Sequence, residues 1–328
     1  MENDRKKLMV DINKIHFSGR YIKKDNRITI FNGGSGFSFK MKGSSFTLSL
    51  FSGFAPCYYY VIIDHDYLNR IKLCTSFGTY QHKLNGGPHY IDVVKANECN
   101  DAIMHLVDLE INGQLLDYDY LYKGRVRVYG DSTVAGFGIL SHDDEPSTSV
   151  SDSVRDFVYH ALYDLNMDMD IFSASGYGLA FSIYTYPNDI GIINYVNKVG
   201  VHKTNRWIDK NPFDLLIVSL GTNDYSYINA DPNLKYERIK EFKEKYRKLI
   251  AREVRKNPNI KVLVIYGSLK EKDIYPLIES TYDYLKKYFK NLNIHRFDGD
   301  NSAISNHAYV TAHDQMTEEL KQVIKSIM

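Results

Sequence analysis

Three side chains in this sequence are of the types that together move an acyl group. Ser132 closes the run Arg125-Val-Arg-Val-Tyr-Gly-Asp-Ser132, Asn223 lies in Gly221-Thr-Asn-Asp224, and His307 opens the run His307-Ala-Tyr-Val-Thr-Ala-His313. A serine hydroxyl is a poor nucleophile until a base takes its proton, so Ser132 matters only if a histidine reaches it. His307 is the candidate base, distant in sequence as such partners usually are. Attack on a carbonyl puts negative charge on its oxygen, which needs hydrogen-bond donors held in place. The Asn223 amide and the backbone N–H groups of Gly176 and Ser132 are the candidate donors. Each also has a plainer reading: Ser132 as a helix cap, Gly221–Asp224 as a strand-to-loop turn, Gly176 as punctuation. His313 reads as a capping or packing residue.

The elements around these residues put them on one edge. Val126–Gly130 and Asp214–Leu220 read as buried strands, and strands of open α/β sheets deliver their sites at their carboxyl ends. From Lys123 onward strands alternate with helices: helix 152–165, strand 169–173, helix 190–199, strand 214–220, helix 233–256, strand 261–266, helix 274–290, strand 294–297 and helix 312–327. Such alternation means a parallel sheet with helices on both faces. Before residue 120 the pattern is different. Short alternating runs such as Ser45-Phe-Thr-Leu-Ser-Leu-Phe51 and Tyr58-Tyr-Tyr-Val-Ile-Ile-Asp64 recur every 8–12 residues with Asn/Gly turns between them, as in a sandwich or barrel. Two domains are therefore expected, 1–120 all-β and 121–328 α/β, with the boundary near Gln114–Gly124.

Composition narrows the function classes. A 328-residue chain that is 44% hydrophobic can bury a substantial core, and its net charge of +1, with no basic run, argues against nucleic acid or an anionic membrane as partner. No transmembrane run is present, and Met1–Lys7 has no apolar segment behind it as a signal peptide would. Cys57, Cys74 and Cys99 are odd in number and scattered, which reads as reduced thiols in a cytoplasmic protein, or a secreted one whose leader has been trimmed. There are 27 tyrosines but a single tryptophan, Trp207. Tyrosine suits half-buried strands, and also sugar binding. Asp64-His65-Asp66 reads as a hairpin turn, and His142–Glu145 as a solvated loop near the site mouth. No phosphate loop, dinucleotide fingerprint or zinc spacing is present.

Gly130-Asp-Ser132, Gly176, Gly221-Thr-Asn223 and His307 resemble the four blocks of the SGNH (GDSL-type) hydrolases, over residues 125–328. With the β-rich segment in front, Asn13-Lys-Ile-His-Phe-Ser-Gly-Arg-Tyr21, Tyr59–Asp64 and Gly130-Asp-Ser-Thr-Val-Ala-Gly-Phe-Gly138 resemble carbohydrate esterase family 2. That resemblance implies an N-terminal jelly roll (a β-sandwich) joined to an SGNH-type three-layer α/β domain with a parallel sheet. It also implies removal of acetyl groups from poly- or oligosaccharides without a cofactor or metal. Ser132 is then the nucleophile, His307 the base, and Gly176 and Asn223 oxyanion donors. Tyr177, Asp131 and Trp207 are the candidates for contacting an acetylated carbohydrate substrate.

The sequence departs from the SGNH pattern at one telling place. Ile304 stands three residues before His307, where an aspartate usually orients the histidine. A Ser–His dyad with backbone carbonyls orienting the ring fits family 2, and Asp298 and Asp300 are the remaining acidic candidates. The proline common after the histidine is Ala308. The alternatives are a general short-chain or lipid-type GDSL esterase and a non-catalytic carbohydrate-binding protein. The sequence leaves the oligomeric state, the polysaccharide and the hydroxyl position open.

Overall fold

The computed structural model describes residues 11–24, 27–53, 55–99, 101–143, 148–183, 190–209, 211–267, 269 and 273–328. Met1–Lys7, and Asp144 and Glu145 of the expected solvated loop, lie outside them.

The first half is a nine-stranded antiparallel sheet. Its strands are β1 (Ile15–Ser18), β2 (Tyr21–Lys24), β3 (Arg27–Ile30), β4 (Gly36–Ser52) and β5 (Cys57–Ile63). The rest are β6 (Ile71–Thr75), β7 (Phe77–Lys83), β8 (Pro88–Lys95) and β9 (Met104–Leu116). Gly36–Lys40 and Ser45–Phe51, two runs in the sequence, are a single strand. β4 continues through Gly43, which packs against the Asn112 and Gly113 backbone of β9 so closely that no side chain fits, and the register shifts there. One edge of β4 pairs with β8 and then β7, and the other with β1 and then β9. Its inward residues Phe37, Phe39, Met41, Phe46, Leu48 and Leu50 form the core of this half, as the two-residue period requires.

The second half is a five-stranded parallel sheet in the order β11-β10-β12-β13-β14. The strands are β10 (Gly124–Gly130), β11 (Met167–Ser173), β12 (Leu215–Ser219), β13 (Lys261–Tyr266) and β14 (Leu292–Arg296). The helices are α1 (Ser132–Ala135), α2 (Phe157–Asp164), α3 (Thr222–Asn229), α4 (Lys235–Lys256), α5 (Tyr275–Lys286) and α6 (Val310–Ile327). Separate apolar clusters lie on the two faces of the sheet: Val128, Ile217 and Leu263 on one, Tyr129, Val218 and Val264 on the other. This is the parallel sheet with helices on both faces expected from the alternation.

Three expectations change. The helix expected over 152–165 begins only at Phe157, because Asp156 turns its carboxylate onto the Val158 N–H as N-cap. Helix 190–199 is reduced to a single tight turn, Ile192–Asn194; the N–H groups of Ile192 and Ile193 bond the carbonyls of Gly178 and Leu179 instead of their own helix. Gly221–Asp224, read as a turn into a loop, runs straight into α3.

The two halves are joined by buried charge. Arg20, fully enclosed, bonds Asp170 on β11 (3.0 Å) and the carbonyl of Lys198 (2.7 Å), its guanidinium lying 4.0 Å from the Phe172 ring. Arg127 takes the other oxygen of Asp170 (2.8 Å) and reaches Glu253 (3.3 Å).

Candidate active site

The site is built where the strand order changes direction, between β10 and β12. Gly130, the last residue of β10, pairs in register with Ser173 of β11 and Ser219 of β12. Ser132, Gly176 and Asn223 follow these three strand ends by two, three and four residues, so all emerge on the same carboxyl edge of the sheet.

Local chemistry holds Ser132 at a sharp strand-to-helix turn. Asp131 caps the turn, accepting from Thr133 N (3.0 Å) and Thr133 Oγ1 (2.9 Å). A β-carbon on Gly130 would lie 2.4 Å from the Val134 side chain, and one on Gly136 (φ +68°) 2.2 Å from the Asp152 carbonyl. Only glycine allows the chain to enter and leave so short a turn.

His307 arrives from the loop before α6. Its Nε2 lies 2.7 Å from Ser132 Oγ, and its Nδ1 lies 3.0 Å from the Ile304 carbonyl. A carbonyl can only accept, so in the neutral ring Nδ1 carries the proton and Nε2 is left to accept from the serine hydroxyl. Ser305 (φ +52°) and Asn306 (φ +62°) fold the chain back so that the carbonyl meets the ring, and the serine's left-handed backbone costs roughly 1 kcal/mol. The Phe137 ring lies 5.1 Å from the imidazole. Asp300 spends its carboxylate on Asn301 N, Ser302 Oγ and Tyr309 N; burial opposes its ionisation, but these donors hold it below the usual carboxylate range. Asp298 is exposed.

The donor side is equally specific. Asn223 is buried, and its Nδ2 has no hydrogen-bond partner among the described residues. The backbone N–H groups of Ser132 and Gly176 also donate to nothing there. Unspent buried donors are uncommon, because each forfeits its hydration.

Three of the residues expected at the substrate are held in other roles. Tyr177, next to Gly176, is wholly buried in the core with its hydroxyl on His202, so it offers no face to a sugar. Asp131 is buried and committed to its cap. Trp207 packs on Tyr21 and lines a cavity with Arg125 and Asp168, at the amino ends of β10 and β11, opposite Ser132. His313 is a packing residue: it is buried, with Nδ1 accepting from Phe157 N at 3.2 Å. Asp64 and His65 form the tight turn after β5. His142 lies at the edge of the site: its Nδ1 donates to the Ser302 carbonyl at 2.6 Å, and the ring stacks on Tyr309.

Two residues that shape the site carried no role in the sequence reading. Asp224 accepts the N–H groups of Leu179, Ala180 and Phe181 (2.7, 2.8 and 3.1 Å), tying the segment after Gly176 to the residue after Asn223. Burial pushes its carboxyl up to about 7 against those three donors. Glu98 reaches in from the antiparallel half to accept the Ser175 N–H at 2.7 Å; burial, then the Asp101 charge, push it up to about 7. The adjacency of Asp224 to Asn223 was a usable signal, whereas nothing near Glu98 marks it. Among the described residues no group of three or more His, Cys, Asp or Glu side chains comes together to hold a metal ion, and no helix is long and apolar enough to cross a membrane.

Known proteins share this fold. A family two carbohydrate esterase from Clostridium thermocellum, solved in complex with cellohexaose, superposes with a TM-score of 0.83 at 19% identity, over 95% of this chain and 98% of that one. A family two carbohydrate esterase from Cellvibrio japonicus gives 0.81 at 19% identity over 96% and 95%. An acetyl xylan esterase from the rumen bacterium Butyrivibrio proteoclasticus gives 0.81 at 17% over 97% and 96%. At such identities these likenesses establish a shared fold. A comparison with curated protein sequences gives no match. The model of the GDSL-like lipase/acylhydrolase family matches residues 127–320, more than half of the chain and a span that includes Ser132, Gly176, Asn223 and His307, and the protein belongs to that family.

Proposed function

We propose that the protein is a carbohydrate O-acetyl esterase working through a Ser132–His307 dyad. The observation that carries this reading is the imidazole held between Ser132 Oγ at 2.7 Å and the Ile304 carbonyl at 3.0 Å. In this mechanism His307 Nε2 takes the Ser132 proton as Oγ attacks the acetyl carbonyl carbon. Charge on the carbonyl oxygen is met by Asn223 Nδ2 and the N–H groups of Ser132 and Gly176. Collapse breaks the bond to the sugar oxygen, which leaves with the proton from Nε2. Water, deprotonated by His307, then attacks the acetyl-enzyme, releasing acetate and restoring the serine. No cofactor enters this scheme.

The substrate class follows from the likeness to family two carbohydrate esterases, whose fold extends over both halves of this chain. We assign residues 1–120 to a jelly-roll domain and 121–328 to the catalytic domain, with acetylated mannan, glucomannan or xylan fragments as substrates and a 6-O-acetyl hexose as the first candidate.

Acetate release from acetylated manno-, gluco- and xylo-oligosaccharides tests this, with the parent compared with Ser132→Ala. Release by the parent alone is expected. A preference for acyl chains of six carbons or more would replace the reading with a lipid-type esterase. Sugar binding unchanged in Ser132→Ala, with no turnover by the parent even of 4-nitrophenyl acetate, would replace it with a binding protein.

A further inference from the structure

A second cavity, of about 280 Å³, opens where the antiparallel sheet meets α2 and the start of β11. It is far from Ser132: Met167, which lines it, pairs with Gly124 at the opposite end of β10, about 20 Å back along the strand. Five tyrosines wall it: Tyr67, Tyr120, Tyr122, Tyr159 and Tyr163. Their rings are turned against one another, 19° between Tyr159 and Tyr163, 37° between Tyr67 and Tyr163, and 78° between Tyr120 and Tyr122. Rings at such angles enclose a volume, whereas a sugar ring is usually met by one flat platform.

The charge in this cavity is one-sided. Among the described residues no lysine or arginine lines it, and two carboxylates do, Asp92 and Asp164. Asp164 is paired with Lys321 at 2.7 Å. Asp92 is not paired with a fixed cation. Only 5% exposed, it receives the Tyr163 hydroxyl (3.0 Å) and His65 Nδ1 (3.1 Å) on Oδ2. Its Oδ1 has no partner among the described residues. The enclosed Nε2 of His65 also has none. Burial, reinforced by the Asp92 charge, raises the hydroxyls of Tyr120, Tyr122, Tyr159 and Tyr163, so the tyrosines stay neutral. What remains is a carboxylate oxygen that faces the cavity with no protein donor among the described residues, ringed by the faces and edges of neutral tyrosines, a setting that suits a cation.

We propose that this cavity binds a compact organic cation, a quaternary or alkyl ammonium group, with Asp92 Oδ1 as counter-charge and the tyrosines as its cage. Titration calorimetry of the full-length protein with choline and tetramethylammonium, against 3,3-dimethyl-1-butanol as choline's neutral isostere and glucose as a polyol, tests the assignment. Both cations should bind, with the neutral isostere at least about tenfold weaker. Ser132→Ala should bind them as the parent does. Asp92→Asn should weaken them at least about tenfold; Tyr120→Ala, at the half-buried rim, should also weaken them and serves if the Asp92 variant does not fold. Equal affinity for the neutral isostere, glucose binding without cation binding, no saturable cation binding in the millimolar range, or cation binding lost in Ser132→Ala would each overturn the proposal.

Discussion

Glu98 accepts a hydrogen bond from the backbone N–H of Ser175 at 2.7 Å, one residue before Gly176. Glu98 follows β8 of the antiparallel sheet, so a residue from that half fixes a turn on the catalytic edge of the parallel sheet. The same stretch makes further bonds across the boundary: Ser153 N donates to the Ala96 carbonyl and Asn97 Nδ2 to the Thr148 carbonyl. The antiparallel half is thus part of the scaffold for the proposed oxyanion site.

Glu98→Ala leaves the Ser175 N–H without its acceptor, while Glu98→Gln keeps an oxygen there. The alanine variant should lose about tenfold or more in kcat with little change in KM, since the turn it loosens acts mainly in the transition state. The glutamine variant should recover most of it. Steady-state kinetics on 4-nitrophenyl acetate checks this, and equal losses in both variants would remove the positioning role.

Glu98 and Asp224 together set a pH dependence of stability. Both carboxyls are raised to about 7 in the folded protein, while in the unfolded chain they titrate near 4. Between about pH 4 and 7 the folded state therefore holds the extra protons, and stability falls as pH rises through that window. Tm measured across it should decline in the parent and decline less in Glu98→Gln.

Asn223 and Asp224 are neighbours with separable roles. Asn223→Ala removes an unspent donor and leaves the core packing in place. It should lower kcat on the order of 10²–10³-fold without a matching loss of Tm. Asp224→Ala orphans three buried N–H groups and should cost on the order of 3 kcal/mol or more of stability, read by urea unfolding.

Asp170 sits between Arg20 and Arg127. Burial works against its ionisation, but the two guanidinium groups hold its carboxyl below the usual range. Its contribution is present above the unfolded pKa near 3.9 and lost as pH falls through the lower folded value. Asp170→Asn leaves two buried cations under-compensated and should destabilise by about 3–5 kcal/mol. Chemical denaturation measures the loss, and a change within 1 kcal/mol, about the effect of an ordinary surface substitution, would show the network to be dispensable.

What the sequence determined alone is what short-range physics writes into it. The apolar run of Leu215–Ser219, the Gly-Asp-Ser turn after β10 and the amphipathic α4 and α6 follow from period and turn chemistry, so the parallel sheet and the strand ends bearing Ser132 and Asn223 were legible. Ile304 in place of an acid already pointed to a backbone carbonyl behind His307. Which carbonyl, and that Ser305 and Asn306 bend to present it, was decided by the fold, because a carbonyl has no side-chain signature. The same holds wherever a role depends on which end or face of a sheet a residue reaches. Tyr177 and Trp207 are aromatic in either setting, but one is enclosed in the core with its hydroxyl on His202 and the other lies at the amino edge, away from Ser132. The 190–199 segment has helical spacing, yet its N–H groups found better-placed acceptors in the 178–179 turn. Glu98 lies 77 residues from the N–H it accepts, and a pairing of that kind exists only once two sheets have packed and water has left the space between them.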